Sequence, residues 1–483
     1  MSMVIVISSI AYIIYVENAS KSEENYGFSM FSLMGWSSRN YLPKRWFEEK
    51  NENEYSISTA RKLNDDAEIL ENFSNNGLAL TPLMGWSSRK HLMSRGSFGD
   101  EIENDYSTSE KVIENTAEIL HKEGYSKVGY NYIIIDESWS APVRNKDGDI
   151  EPDHRRFSKG IHNLAKNLHK LGLKLGISGD IGSETCSGHP GSWANFDRDA
   201  KTFAGWEIDF LKVNGCFANE SMLNEGYKNF GKALMNTKRP IIYSIDWPLH
   251  DRNVNFTEVV KVSNLWRVYH NVHDTFESIM SVVDYVGANP NIFRKYSGPG
   301  SWADLDVLAI GNSHLSLDQS KLQMAMWSIF PAPLVLVNNL KNIRKEFKDI
   351  LVNSDVIAVN QDTLGLPGKR IHVEDHIEVW IRQIGPIEKR GNDESYSYAL
   401  VILNRQLYGE PIQHKFTPEE YGMKHKSGYQ MKELFHKFMN EKHVMPNTPI
   451  SFSVDASSVV YLRFELKTGQ SVDSDKNNFS GLL

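Results

Sequence analysis

The sequence is poor in cysteine, because only Cys186 and Cys216 occur among its 483 residues. Two cysteines exclude a disulfide scaffold, and their distance along the chain excludes a CxxC zinc or redox motif. They either remain as two buried thiols or form one bridge, which would stabilise the fold by roughly 3–4 kcal/mol. The residues alone leave both alternatives open.

The sequence also lacks an excess of basic residues and a long apolar run. Its net charge of −8 disfavours a nucleic-acid-binding protein or one that binds membranes through basic clusters. The apolar run at residues 3–16 is shorter than the ~18 residues of a membrane helix, so we expect no stable membrane insertion. That run has the length of a signal-peptide core, and we predict a signal peptide over residues 1–20, with a buried N-terminus as the alternative. The expected location is the secretory pathway, lysosomal or extracellular.

A metal or cofactor motif is missing as well. His270 and His273 have a spacing seen in metal sites, but no third ligand accompanies them. No GxGxxG loop follows the first strand, so nothing there supports an open doubly wound sheet. We therefore expect neither a metal nor a cofactor.

The N-terminal part contains one duplicated segment. FSLMGWSSRNYL (31–42) recurs as TPLMGWSSRKHL (81–92), and only the second copy continues into a further apolar strand. The second copy should therefore hold the native position in the fold. Residues 21–77 are interpreted as an N-terminal extension, either a surface appendage or a gene-model artefact.

From residue 78 to residue 365, short apolar runs alternate with helical periods. Buried strands separated by helices predict a parallel sheet, and eight strands close a (β/α)8 TIM barrel. An open doubly wound sheet is the alternative. The eight runs are 82–86, 130–136, 174–180, 209–215, 240–246, 265–270, 302–308 and 333–339.

The pattern changes after residue 365. Residues 366–468 alternate apolar and polar side chains with period two, which predicts an antiparallel β domain, a β-sandwich. Residues 469–483 are a polar tail. The predicted fold is thus an α/β barrel followed by a smaller all-β domain.

Polar and aromatic residues follow the ends of the apolar runs. In a barrel these ends form one rim, which carries the active site. Carboxylates, one lysine, one arginine and several indoles are typical of a sugar-binding site, although a polar rim with packed indoles would look similar. The residues are Asp136, Glu137, Asp180, Lys212, Asn214, Asp246, Arg267, Asn271, Asp304 and Asp306, beside Trp86, Trp139, Trp247, Trp266 and Trp302.

From Leu78 to Phe464 the chain resembles family 27 of the glycoside hydrolases, which contains α-galactosidases and α-N-acetylgalactosaminidases. The resemblance implies a barrel with a C-terminal β domain and a carbohydrate partner with terminal α-galactose. A homodimer is one expected assembly. The motifs that carry it are TPLMGW (81–86), YIIIDESW (132–139), DHRRFSKGI (153–161), GLKLGISGDIGSETCSGHPGS (172–192), DAKTFAGWEIDFLKVNGC (199–216), YSIDWPL (243–249), GPGSWADLDVLAIGN (298–312) and DVIAVNQDTLG (355–365).

The resemblance implies a retaining mechanism with two carboxylates about 5–5.5 Å apart. The family nucleophile is the Asp of a K-[YF]-D-G-C motif, which here reads KVNGC with Asn214 at that position. The family acid/base Asp lies four residues after an arginine, and here Arg267 leads to Asn271. An amide carries no negative charge and no proton to exchange near neutral pH.

Other positions keep the family's binding pattern or depart from it. Asp136 and Glu137 match the residues that hold the galactose O4 and O6 hydroxyls, and the pair Asp246 and Leu249 resembles the galactose-selecting version. Ser178 and Arg89 replace aromatic residues of the family. The remaining matches are Lys212, Arg267, Asp306 and Trp86 as sugar contacts, Cys186 with Cys216 as a disulfide, and Asn255 and Asn219 as glycosylation sites.

Three hypotheses follow. The first is a catalytically silent or severely impaired homologue that still binds terminal α-galactosides. The second is an active retaining α-galactosidase, acting on glycolipids or oligosaccharides. The third is a partner or regulatory subunit that binds no sugar.

Overall fold

The structure is a computed structural model, and every residue that it describes lies in one compact unit, Asp65–Leu483. The predicted signal peptide (1–20), the polar tail (469–483) and all but the last two residues of the N-terminal extension (21–77) lie outside the described residues. These three assignments stay predictions. The described residues are 76–89, 108–137, 139–251, 253–312, 314–391, 393–436 and 441–467.

Eight short parallel strands form the first sheet. They are β1 (Met84–Ser87), β2 (Tyr132–Ile135), β3 (Lys174–Asp180), β4 (Phe210–Asn214), β5 (Ile242–Ile245), β6 (Leu265–Arg267), β7 (Trp302–Asp304) and β8 (Leu334–Leu336). Strands β1 to β7 pair in sequence order, and β1 also pairs with β8. Just beyond β7, Leu308 forms a parallel bridge with Leu336 and links the two ends of the sheet. This order confirms the predicted (β/α)8 barrel.

Helices lie between the strands along the chain and surround the barrel. They are α1 (Glu110–Lys122), α2 (Gly160–Lys170), α3 (Phe196–Gly205), α4 (Glu220–Asn236), α5 (Trp247–His250), α6 (Phe256–Val262), α7 (Phe276–Ala288), α8 (Pro290–Tyr296), α9 (Leu317–Ile329), α10 (Lys345–Leu351) and α11 (Ser354–Asn360). In α2 the buried residues are Ile161, Leu164, Ala165 and Leu168, which share one helical face. Among the helices of the described part, none has the length and apolar character that a membrane span requires.

The C-terminal region is built from antiparallel strands. They are β9 (Lys369–Glu374), β10 (Ile377–Arg390), β11 (Asp393–Asn404), β12 (Ile412–Phe416), β13 (Tyr429–Glu433), β14 (Lys442–Val444), β15 (Ile450–Val454) and β16 (Val459–Glu465). Six of them form one sheet in the order β14-β13-β16-β11-β10-β9, and β12 pairs with β15 in a second sheet. Apolar side chains of both sheets share one core, for example Phe416 and Val379, which agrees with the predicted sandwich. The boundary predicted at residues 365 and 366 falls between α11 and β9.

Helix α9 connects the two regions. It is buried on almost every side, because the barrel lies against one face and strands β11 and β16 lie against another. Ser328 of α9 contacts the Tyr461 hydroxyl at 2.9 Å. Outside this core, the Arg405 guanidinium pairs with both carboxylate oxygens of Asp284 in α7 at 2.6 and 2.8 Å. The barrel that carries the site is therefore supported from the side by the β domain.

Candidate active site

A cavity of about 440 Å³ lies where the parallel strands end. Seven of the residues proposed from the sequence line it, and they come from the ends of β2, β4 and β5 and from the loop after β6. They are Asp136, Glu137, Lys212, Asn214, Asp246, Leu249 and Asn271. The other lining residues are Ser88, Arg89, Thr108, Arg156, Cys186, Ser187, Cys216 and His250.

Arg89, Arg267 and Asp306 form a buried ion-pair cluster, which we call the floor cluster. One oxygen of Asp306, Oδ1, accepts hydrogen bonds from Nη1 of Arg89 at 2.5 Å and from Nη1 of Arg267 at 2.8 Å. Its other oxygen accepts from the backbone N–H of Val272 at 2.7 Å. Two guanidinium groups therefore share one carboxylate.

Neighbouring charges, rather than burial, determine the direction in which the pKa of Asp306 shifts. Burial would raise the pKa of Asp306, but the positive charges of Arg267, Arg89 and Lys212 hold that pKa well below its usual range. Burial would lower the pKa of Arg89, yet the charges of Asp306, Asp136 and Asp246 raise it. Both groups are therefore ionised at neutral pH.

The floor cluster fixes the position of Asn271. Nη2 of Arg267 donates to the Asn271 side-chain oxygen at 2.9 Å, and Val272, the next residue, is bonded to Asp306. Arg267 also donates to the carbonyl oxygen of Tyr269 at 3.0 Å. Because the amide oxygen faces Arg267, the amide nitrogen of Asn271 points away from it.

Asn214 is the last residue of β4, and its amide is paired with Glu137. Its Nδ2 donates to Oε1 of Glu137, while Oε2 of Glu137 accepts from the backbone N–H and the hydroxyl of Ser187 at 3.1 and 3.0 Å. Burial and the neighbouring charge of Asp136 raise the pKa of Glu137. Both oxygens of Glu137 are thus bonded within the protein, and one of them lies beside the side chain at position 214.

The loops after β3 and β4 are tied together beside this pair. Cys186 and Cys216 form a disulfide, as the family resemblance implies. The Asp180 carboxylate accepts from the N–H of Gly182 at 2.7 Å and from that of Cys216 at 3.0 Å. A Cβ at Gly182 would lie 2.0 Å from the Cys216 carbonyl oxygen, so only glycine allows this contact. Burial raises the pKa of Asp180 to about 8.

The same loops contain a group with metal-ligating atoms. Within the described part of the chain, the carboxylate of Asp180 and the sulfurs of Cys186 and Cys216 lie close enough to contact one ion. The two sulfurs are bonded to each other and offer no thiolate, which is the form that binds a metal. This group therefore does not form a metal site in the oxidised protein.

Lys212 and Asp246 line the cavity, but no hydrogen bond joins their side chains. Nζ of Lys212 lies 3.8 Å from Oδ2 of Asp246, beyond hydrogen-bond distance. Oδ1 of Asp246 is buried and accepts no hydrogen bond from the residues that the structure describes. Asp136 forms hydrogen bonds within the protein, because its Oδ1 accepts from the Ser178 hydroxyl at 3.1 Å and its backbone N–H donates to the Ser88 hydroxyl.

The structure places some proposed residues away from the cavity lining. Trp86 is packed in the core, where its indole N–H donates to the carbonyl oxygen of Asn338 at 3.0 Å. Arg267 and Asp306 lie in the floor cluster rather than on the lining. The role of Trp86 as a sugar contact stays a prediction.

The two proposed glycosylation positions are exposed. The side-chain oxygen of Asn219 accepts from the N–H of Met222 and caps α4, and that of Asn255 accepts from Thr257 and caps α6. In both residues the bonded atom is the oxygen, which leaves the amide nitrogen for a glycan. Glycosylation itself stays a prediction.

The sequence did not identify Ser187, nor the bond from Arg89 to Asp306. Ser187 lies in a loop, and its contact with Glu137 spans 50 residues of sequence, so no local pattern marks it. Arg89 follows β1 by two residues, and its place near a strand end was the one available signal.

Comparison with known proteins gives consistent matches. A family model, Melibiase_2, described as alpha galactosidase A, matches residues 81–362. Alpha-galactosidase A of Homo sapiens is 40% identical over 313 residues, which cover 64% of this chain and 71% of that protein. Alpha-N-acetylgalactosaminidase of Gallus gallus is 37% identical over 333 residues, which cover 68% and 80%. The crystal structure of alpha-galactosidase I from Mortierella vinacea matches with a TM-score of 0.68 at 28% identity, covering 81% of this chain and 98% of that one.

Proposed function

Because the chain belongs to glycoside hydrolase family 27, the family of alpha galactosidase A, we propose that it binds terminal α-galactosides in this cavity and is catalytically silent or severely impaired. One observation carries the proposal. By the family resemblance, Asn214 and Asn271 stand at the positions of the two catalytic carboxylates, and Lys212 and Asp246 line the same cavity beside them.

The loss of reaction follows from the chemistry of the amides. In a retaining glycosidase one carboxylate attacks the anomeric carbon, and the other gives a proton to the leaving oxygen and later takes one from water. Asn214 has no anionic oxygen for the first step, and Asn271 has no exchangeable proton of suitable pKa for the second. Loss of general acid/base catalysis alone typically lowers the rate by ~10²–10⁴.

The proposal that the protein binds a sugar is supported by polar groups of the cavity lining that can form hydrogen bonds with a ligand. Asp246 lines the cavity, and its Oδ2, which lies 3.8 Å from Nζ of Lys212, can accept a hydrogen bond from a ligand hydroxyl. Nζ of Lys212 can donate to a second oxygen of the same ligand. The pair Asp246 and Leu249 resembles the galactose-selecting version of the family, so galactose is the proposed sugar.

Glu137 matters for any attempt to restore the reaction. A carboxylate introduced at position 214 would lie against Oε1 of Glu137, and two adjacent like charges raise the pKa of one of them. The shorter aspartate at position 137 would withdraw that oxygen. Restoring both catalytic carboxylates should therefore work best when Glu137 is shortened as well.

The test compares wild type with Asn214→Asp/Asn271→Asp and with the same double variant carrying Glu137→Asp. Hydrolysis of 4-nitrophenyl α-D-galactopyranoside is measured with each protein. We expect no wild-type turnover above background and weak activity in the double variant. In the triple variant the rate of hydrolysis should exceed the wild-type background by a factor of at least about 10³. Intact-mass analysis of each sample excludes deamidation of Asn214, which precedes a glycine.

Binding is measured separately by calorimetry, with methyl α-D-galactopyranoside and the wild-type protein. Heat without turnover supports the proposal, and the absence of heat overturns its binding part. Wild-type hydrolysis within tenfold of the triple variant would overturn the silent part. A triple variant that folds, binds the galactoside and remains inactive would show that the two amides are not the cause.

The location and assembly of the protein are further proposals. The disulfide is consistent with an oxidising compartment such as the secretory pathway. A signal peptide, a lysosomal or extracellular destination and a homodimer stay predictions.

A further inference from the structure

Glu137 places a carboxylate oxygen beside the position that the resemblance assigns to the nucleophile. Its Oε1 accepts a hydrogen bond from Nδ2 of Asn214, so this oxygen lies one hydrogen bond away from the side chain at position 214. Asn214 ends β4, Glu137 follows the end of β2 by two residues, and both line the cavity. A sugar whose anomeric carbon faces position 214 would therefore meet a carboxylate close to the place from which the family nucleophile attacks.

Three hydrogen-bond donors hold the carboxylate of Glu137 in place. Oε1 accepts from Asn214, and Oε2 accepts from the backbone N–H and the hydroxyl of Ser187 at 3.1 and 3.0 Å. Ser187 follows Cys186, whose disulfide with Cys216 ties this loop to the end of β4. Donors alone suit an ionised carboxylate, because that form only accepts hydrogen bonds. The same contacts fix the oxygen near position 214, and a reacting group gains from such fixed positioning.

The other two carboxylates of the described cavity lining have different neighbours. Oδ1 of Asp136 accepts a hydrogen bond from Ser178 on β3. Asp246 follows β5, and its Oδ2 lies 3.8 Å from Nζ of Lys212. Of these three carboxylates, the one that is bonded to the amide of Asn214 belongs to Glu137. It is therefore the candidate for an attack on the anomeric carbon.

The amide at position 271 limits which galactosides could react. Asn271 has no proton to give to a leaving oxygen, and its own oxygen accepts a hydrogen bond from Arg267. A sugar or alcohol that leaves as an alkoxide needs such a proton, whereas fluoride leaves without one. Residual chemistry is therefore confined to galactosides with leaving groups of the second kind.

We propose that Glu137 is a residual nucleophile, which attacks the anomeric carbon of an α-galactoside whose leaving group departs without a proton. The inference rests on the proposed function, since it names the source of the activity that a severely impaired protein retains in the same cavity. It also reassigns Glu137. The resemblance alone places this residue at the O4 and O6 hydroxyls, but here its Oε1 is bonded to Asn214.

The reaction has two steps, shown here with α-D-galactopyranosyl fluoride. Oε1 of Glu137 forms a bond to C1 while the C1–F bond breaks, and fluoride leaves with the bonding electrons. The oxygen of a water molecule then bonds to C1, the C1–Oε1 bond breaks, and the carboxylate is regenerated. The proton lost by water goes to the buffer, because Asn271 is not a base. Two displacements retain the configuration, so the product is α-D-galactose.

The first test labels the wild-type protein with 5-fluoro-α-D-galactopyranosyl fluoride. The ring fluorine slows hydrolysis of the covalent ester, which therefore accumulates and is found by intact-mass analysis and peptide mapping. We expect one galactosyl adduct per chain, on Glu137. The absence of an adduct, or an adduct on another residue, overturns the inference. This test needs no variant and does not depend on how a substitution folds.

The second test measures fluoride release from α-D-galactopyranosyl fluoride with variants. Wild type should exceed the spontaneous rate by at least about tenfold. Glu137→Gln should fall to the spontaneous rate, because its amide keeps an acceptor at nearly the same place but is a poor nucleophile. Glu184→Gln is the matched control, since Glu184 is an exposed glutamate of the loop after β3 and should leave the rate unchanged.

A third variant excludes a merely structural role for Glu137. Glu137→Gly removes the side chain, and added azide can then act in its place. We expect azide to restore fluoride release and to give β-D-galactopyranosyl azide, because a single displacement inverts the configuration. Urea denaturation and calorimetry with methyl α-D-galactopyranoside verify that each variant is folded and binds the sugar.

The outcomes separate the inference from the proposed function. A wild-type protein that binds the galactoside but neither releases fluoride nor accumulates the adduct overturns the inference and leaves the proposed function standing. Fluoride release that survives Glu137→Gln, or that is lost in folded Glu184→Gln, also overturns the inference. Failure of methyl α-D-galactopyranoside to bind the wild-type protein overturns the binding part of the proposed function and the inference with it.

Discussion

The floor cluster and the two amides of the cavity rim differ in how they are held. Arg89, Arg267 and Asp306 are almost completely buried and joined by ion pairs, whereas Asn271 is exposed and Asn214 is half-buried. The floor cluster carries full charges, whereas Asn214 and Asn271 offer only hydrogen-bonding dipoles. If the proposed function holds, the site has kept the charges that shape it while the two reacting positions are uncharged.

The difference has a physical basis. A substitution in the floor cluster leaves a buried charge without a partner, which costs several kcal/mol. Asn214 and Asn271 are uncharged, and their amides are bonded to Glu137 and Arg267, so a substitution at either position removes a hydrogen bond rather than one charge of a buried pair. Stability should therefore depend strongly on the floor cluster and weakly on the rim, which the following variants test.

The largest effect is expected from Asp306→Asn. It removes the carboxylate with which buried Arg89 and Arg267 both form ion pairs, and we expect the free energy of unfolding to fall by about 3–5 kcal/mol. Urea denaturation measures this loss. Adding Arg89→Met to the same variant should recover part of it, because one of the two unpaired charges is removed.

Two controls define the comparison. Asn271→Ala removes a rim amide and should lower stability by about 1 kcal/mol or less. Asp149→Asn breaks the exposed pair with Arg198 and should also change it by less than about 1 kcal/mol. If Asp306→Asn were no worse than these controls, the contrast between floor and rim would be wrong.

The next effect concerns the disulfide that braces the rim. Cys186→Ser/Cys216→Ser opens a loop with a sequence separation of 30 and should lower stability by roughly 3–4 kcal/mol. Affinity for galactosides should fall too, since Ser187 follows Cys186 and holds Glu137.

Ser187→Ala is the matched variant, because it removes one hydrogen bond to Glu137 and keeps the disulfide. It should cost about 1 kcal/mol, again measured by urea denaturation. Equal losses in the two variants would mean that the hydrogen bond, rather than the covalent brace, orders this part of the rim.

The sequence predicted the barrel and most of the cavity lining for a simple reason. Parallel strands buried on both faces read as apolar runs, and the residues that follow them meet at one end of the barrel. Trp86 shows the limit of this reasoning. All four residues of β1 are buried, so no alternation indicates which face the indole takes. Ser187 and the Arg89–Asp306 pair depend on contacts between distant segments, which local patterns do not encode.

The last effect is a slope rather than a single loss, a dependence of stability on pH that arises in the loop after β3. Asp180 has a pKa of about 8 in the folded protein, against about 3.9 for an unfolded chain. Between these values the native state keeps a proton that the unfolded state has released. Stability should therefore fall as pH rises from about 4 to about 8, by at most ~1.4 kcal/mol per pH unit.

Asp180→Asn separates this effect from the floor cluster. The amide is uncharged at every pH, so urea denaturation at pH 5, 6, 7 and 8 should give a flatter profile than wild type. Asp306 has the opposite shift, since cations lower its pKa, and its contribution is present above pH ~4 and lost only in stronger acid. Asp306 should therefore leave the slope between pH 5 and 8 unchanged. An equally steep profile in Asp180→Asn would assign the slope to other buried carboxyls with raised pKa values, Glu137 and Asp304.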